Sequence, residues 1–101
     1  EEVPGFSDAQ RARQARFVEV FQAASPDFQT EHGYLSGRFK DELLTLASKW
    51  VAHRFGCVSI TLEMPFKDNA NLPDGLTGWN GERSKRLGAA MLNPILAHLA
   101  D

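Results

Sequence analysis

The sequence predicts an α/β fold, built in the order helix, loop, helix, strand, long loop, helix, with about three helices and one clear strand. Three observations carry that expectation. Apolar residues recur at three- and four-residue steps in three stretches, the mark of helices with one buried face. Between the second and third stretches, Val58, Ile60 and Leu62 alternate with Cys57, Ser59, Thr61 and Glu63. A period of two puts branched side chains on one face of a strand and small or polar ones on the other. Finally, the 101 residues are 43% hydrophobic and 24% charged, which suits one globular domain or a piece of one.

Each element follows from local chemistry. Pro4-Gly5 marks a turn, and Ser7 or Asp8 can cap a helix running to about Ala24, with Phe17, Val18, Phe21 and Ala24 on its apolar face and Arg11, Arg13 and Arg16 toward water. Ser25-Pro26 ends it, and a connector to Gly37 carries Phe28, His32 and Tyr34. Phe28 and Tyr34 are expected to pin this connector onto the core. A second helix is expected over residues 38–55, with Phe39, Leu43, Ala47, Trp50 and Val51 inward and Gly56 as its C-terminal cap. Pro65 cannot donate a ladder bond, so the strand should stop near it. Residues 64–79 form a connection long enough to be either functional or disordered. Asn80 then caps a last helix through Leu87, Met91, Ile95 and Leu99, which Pro94 should kink or split.

A single strand is a physical anomaly. Its backbone N–H and C=O groups need partners on both sides, and no second alternating run exists in the chain. The partner strands must come from another copy or from sequence outside these residues, which points to a piece of a larger domain.

Composition narrows the function. With eleven basic and thirteen acidic residues, the chain lacks the basic field that nucleic-acid binding needs. Its densest basic run, Arg83, Lys85 and Arg86, reads as a solvated helix face. No apolar stretch is long enough to cross a bilayer as a helix. The one cysteine, Cys57, excludes an internal disulfide and fits a reducing, cytoplasmic compartment. Cys57 reads as a small buried hydrophobe; as a nucleophile it would need a base such as His53 in space beside it.

The run Thr61-Leu62-Glu63-Met64-Pro65-Phe66-Lys67-Asp68-Asn69-Ala70 is followed by Leu72-Pro73-Asp74, Gly78-Trp79 and Glu82-Arg83-Ser84-Lys85-Arg86-Leu87-Gly88. Before it stand Pro26-Asp27-Phe28-Gln29-Thr30-Glu31-His32-Gly33-Tyr34 and Leu44-Thr45-Leu46-Ala47-Ser48. Together, from about Phe6 onward, these resemble the C-terminal part of the catalytic domain of zinc carboxypeptidases, the carboxypeptidase A-like metallopeptidases. The closer resemblance is to a bacterial branch similar to cytosolic carboxypeptidases. It implies a zinc enzyme that removes C-terminal residues from peptides or proteins. The metal would be held by two His and one Glu. Glu63 stands where the family has its general base and acid, and is expected partly buried beside the metal. Tyr34, the only tyrosine, is the candidate for the substrate-covering Tyr of the family.

The departures define the rest of the expectation. The family's His-x-x-Glu is absent: His32, His53 and His98 are followed three positions on by Leu35, Gly56 and Asp101. The family's third ligand falls before residue 1. Residues 1–101 are therefore expected to be a C-terminal portion of a metallocarboxypeptidase catalytic domain without its zinc ligands, inactive alone. Its partners would be peptide or protein C-termini and the remainder of its own domain, with neither nucleic acid nor membrane. His32 reads either as a loop hydrogen-bonder or as a stray ligand, and Lys67 as a surface lysine or an attractor of an acidic side chain. The alternative is a small, mostly helical interaction module without catalysis. A His-x-x-Glu shortly upstream favours the enzyme; a chain without any sheet favours the module.

Overall fold

The computed structural model describes residues 3–33 and 44–101. Four helices form in it: α1 (Asp8–Ala24), α2 (Ala47–Phe55), α3 (Gly81–Ala90) and α4 (Leu92–Ala100). The boundaries of α1 are those expected. Ser7 accepts a hydrogen bond from the Gln10 backbone N–H (3.1 Å) while Gln10 Oε1 accepts from the Ser7 N–H (3.0 Å). This reciprocal capping box satisfies two donors that a helix N-terminus otherwise leaves open.

α2 is shorter than the sequence suggests. Leu46 has extended backbone (φ −87°, ψ 129°), so the helix starts at Ala47. Phe39 and Leu43 of the expected helix lie outside the described residues. Gly56 closes α2 in the left-handed region at φ 61°, where a side chain is disfavoured. Its N–H donates to the Ala52 carbonyl (2.9 Å), and α1 adds two bonds at this end: Gln10 Nε2 reaches Ala52 O (3.4 Å) and Arg13 reaches Gly56 O (2.7 Å). The long first helix thus braces the end of the second.

The α/β class is not what forms. Among the described residues there is no strand and no sheet; residues 57–65, where the strand was expected, carry no regular structure. The physical reason is the missing neighbour. A strand exists through ladder bonds to a chain 4.7–4.9 Å away, and no described segment offers one. The segment leans on α2 by side chains instead, with Ser59 Oγ donating to Ser48 O (2.8 Å) and Thr61 Oγ1 to Ser48 Oγ (3.3 Å). The alternation survives as exposure only at its end, where Ile60 and Leu62 are half-buried and Thr61 and Glu63 exposed; Cys57, Val58 and Ser59 are all half-buried alike.

Pro94 splits the last helical stretch as expected. It stands in the first turn of α4, where a missing N–H costs nothing, and its ring cannot coexist with an unbroken helix through Ala90. Met91 marks the junction, its N–H donating to Gly88 O at 3.2 Å. α4 packs on α1 along a seam of Phe17, Val20, Pro94 and Ala97, closed by Arg16 on Asp101 (2.6 Å) and by Phe17 edge-on to His98. The core is small: Val3, Phe21, Ala52 and Leu87. Phe21 is fully enclosed and stacks on Phe28 with centroids 4.1 Å apart. Phe28 therefore does pin the connector to the core, while Tyr34 lies outside the described residues.

Candidate active site

The long connection after the motif is ordered by hydrogen bonds rather than by secondary structure. Asp68 accepts from the Asn69 N–H (2.8 Å) with one oxygen and from the Asp74 N–H (2.9 Å) with the other. Asp74 in turn accepts from the Leu76 and Thr77 N–H groups (3.0 and 3.1 Å) and from the Thr77 hydroxyl (2.6 Å). These bonds to Thr77, hydroxyl first, hold the Asp74 carboxyl below its ordinary range. Asn69 accepts from the Asn71 N–H (3.0 Å) and donates to Asp27 (3.2 Å). Trp79 closes the loop, its N–H on Lys67 O (2.7 Å) and its indole N–H on Ser84 Oγ (2.9 Å). Such Asx-type turns are why Asp and Asn dominate this segment.

Arg83 sits at the centre of this loop, buried to 5% exposure. Nη2 donates to Asp27 Oδ1 (2.6 Å) and Leu72 O (2.8 Å), Nη1 to Asp68 Oδ1 (3.1 Å) and Gly78 O (3.4 Å), and Nε to Asp27 Oδ2 (3.4 Å). All the donors of a guanidinium are thereby engaged. Its Cζ also lies 4.8 Å from the Trp79 ring centroid, within cation–π range. The hydrogen bond from Arg83 is the chief reason the Asp27 carboxyl falls below its ordinary range, against the opposing effect of burial. The same bond raises Arg83. The solvated-face reading of the basic run is thus corrected at Arg83, although Lys85 and Arg86 are exposed. Helix position alone does not reveal that two acids, one of them 56 residues away in sequence, converge on one of three neighbouring cations. The available signal was the density of Asp and Asn in a long unstructured connection.

Glu63 lies in the wall of an open concavity of about 440 Å³, together with Asp27, Phe28, His32, Asp68, Trp79 and Leu87. It is exposed here, not partly buried as expected. Asp27, Asp68 and Trp79, held by the Arg83 network, line the same hollow. His32 is brought to the same hollow; its backbone N–H and carbonyl are tied to the Gln29 side chain (2.7 and 2.9 Å). His53 and Cys57 are not brought together as a pair. The His53 Nδ1–H donates to Pro4 O (2.9 Å), and the Cys57 thiol points to Val51 O (3.9 Å). Lys67 is exposed and lies outside the lining of the hollow.

A zinc ion does not fit this chain's described residues, among which no group of three His, Cys, Asp or Glu converges. Among them too, no helix is long and apolar enough to cross a membrane.

Comparison with known proteins identifies the context of this segment. No protein-family model matches the chain. An uncharacterised protein of Zymomonas mobilis is 41% identical over 101 residues, all of this chain and 26% of that protein. The crystal structure of a metallo-carboxypeptidase from Burkholderia cenocepacia superposes with a TM-score of 0.90 at 60% identity, over 97% of this chain and 26% of that one. A metallo-carboxypeptidase from Pseudomonas aeruginosa, solved in complex with (2-guanidinoethylmercapto)succinic acid, superposes at 0.87 with 36% identity over the same shares. The chain thus spans about a quarter of the length of the proteins it matches. Along nearly all of its residues, the chain is thus similar to a segment about a quarter of the length of these metallo-carboxypeptidases.

Proposed function

We propose that residues 1–101 form the C-terminal portion of the catalytic domain of a metallocarboxypeptidase, and that Glu63 is its proton-transfer group. The observation that carries this reading is the placement of Glu63, within the motif that resembles the family, in the wall of an open hollow. In the proposed reaction a water oxygen attacks the carbonyl carbon of the last peptide bond. The Glu63 carboxylate takes a proton from that water and later delivers one to the leaving amine nitrogen, so that peptide and water become two shorter products. Tyr34 is proposed to contact the substrate. The substrates are peptide or protein C-termini, and the cofactor of the parent protein is zinc, held by residues outside this chain. A cytoplasmic setting fits the single free cysteine.

The test is Glu63→Gln in the full-length parent, which keeps the shape of the side chain and removes its basicity. Turnover of a C-terminally unblocked peptide should fall by about 10²–10⁴-fold, with the zinc content unchanged. Wild-type turnover in this variant removes Glu63 from the mechanism.

One observation favours the second reading, an interaction module without chemistry: the described residues contain no strand. A strand severed from its sheet has no ladder to join, so the same observation is expected of the enzyme segment. The family likeness weighs for the enzyme. A His-x-x-Glu and a further His encoded shortly upstream distinguish the two.

A further inference from the structure

We propose that Arg83 is a positioning residue for substrate recognition, fixing part of the wall of the hollow that Glu63 also lines; the proposal rests on the carboxypeptidase reading above. Asp27, Asp68 and Trp79 line the hollow, and Arg83 does not. Arg83 nonetheless holds all three, by its bonds to Asp27 Oδ1 (2.6 Å) and Asp68 Oδ1 (3.1 Å) and by its stack on Trp79 at 4.8 Å. These residues come from the connector after α1 and from both ends of the 68–79 loop; the Asn69 side chain ties that loop to Asp27 and the Trp79 N–H ties it to Lys67 O, and Arg83 is the side chain that reaches all three at once. With every donor engaged, Arg83 cannot grip a substrate carboxylate without releasing part of the wall. Its role is indirect, and its planar fork is what the role needs. A lysine carries the charge but only three donors on a point-like ammonium, and cannot serve Asp27, Asp68, Leu72 O and Gly78 O together.

The bonds of Arg83 run to Asp27, Asp68, Leu72 and Gly78 and not to Glu63, so displacing this wall should weaken substrate binding more than it slows chemistry. Steady-state kinetics of Arg83→Lys in the full-length parent are expected to show KM raised about tenfold with kcat within about twofold, the pattern of lost uniform binding. Ser84→Ala frees the Trp79 indole N–H without touching the buried charges, and should raise KM in the same direction by about threefold. This second variant keeps the test open if Arg83→Lys does not fold. Unchanged KM in Ser84→Ala together with unchanged KM in a folded Arg83→Lys overturns the proposal. So does a fall in kcat at constant KM, which would report only a loss of folded enzyme. A wild-type parent inactive on every peptide C-terminus overturns the carboxypeptidase reading itself, and this proposal with it.

Discussion

Gly78 shows how a single residue can set the candidate site. Its φ is +59°, and a Cβ placed there would run into the carbonyl oxygen of Lys67, the same oxygen that accepts the Trp79 N–H. Gly78→Ala therefore meets both a disfavoured backbone region and a steric conflict with backbone that cannot move freely. The expected cost is about 1–3 kcal/mol, read as a lower midpoint in denaturant for the parent protein. Asp27 gives a second expectation at this scale. Its carboxyl is held below its usual value chiefly by the Arg83 hydrogen bond. A lowered folded pKa means that its stabilising contribution is complete above the unfolded value, near 3.8, and drains away as pH falls through the folded one. Asp27→Asn should therefore flatten the loss of stability below about pH 4, measured by thermal melts across that range. An unaltered acid limb would show that other carboxylates govern it. Neither residue announces itself in the sequence, because φ sign and the convergence of distant charges are properties of the folded loop.

Among the elements, α1 does more than form. A cap at Ser7 or Asp8 and the apolar face with Phe17 and Phe21 were legible in the sequence; the reciprocal bond of Ser7 with Gln10 came from the structure. Less legible was that its polar face would satisfy the C-terminal carbonyls of α2 through Gln10 and Arg13. Phe21 is the one large apolar side chain enclosed by α1, stacked on Phe28 and edge-on to Phe17. Phe21→Ala is expected to cost about 3–5 kcal/mol and to loosen the connector that carries Asp27. Protease cleavage near residue 28 should accordingly accelerate; an unchanged rate would mean that the connector is held without the stack. The lone strand is the instructive failure. Its alternation matches exposure only from Ile60 to Glu63 and not at Cys57, Val58 and Ser59, which are half-buried alike; alternation is a statement about faces, and a strand also needs edges. The edges require neighbours that the described residues do not supply.

At the scale of the whole molecule, the distribution of apolar surface is inverted relative to a self-sufficient domain. Leu92, Leu96 and Leu99 on α4 are 66%, 69% and 78% exposed, and Phe55, Phe66 and Leu76 are 65%, 105% and 98% exposed. The Cα envelope measures 45 × 33 × 18 Å, so its short dimension holds about two helical layers and can enclose little. At roughly 25 cal/mol per Å² of apolar surface, leaving such faces in water forfeits a large part of what stabilises a domain of this size. The isolated chain is therefore expected to bind a hydrophobic dye and to associate in proportion to its concentration, checked by sedimentation across a hundredfold dilution. A dye-silent monomer would count against the segment reading. The same preparation, dialysed against zinc, should retain less than stoichiometric metal and hydrolyse no peptide; tight stoichiometric zinc with peptidase activity would show that the chain is a complete enzyme.

By itself the sequence determined what is local. It set a first cap at Ser7 or Asp8, the helix end at Gly56, the break at Pro94, the start at Asn80 and the family resemblance around Glu63, because each depends on residues within a few positions of one another. Only the tertiary structure decided that the class is helical among the described residues. Only it turned a supposedly solvated Arg83 into the buried tie between Asp27 and Asp68, two residues of the hollow that Glu63 also lines. Those outcomes depend on partners brought close in space, and for the expected strand on partners that the described residues do not supply. Spacing along the chain carries no information about either.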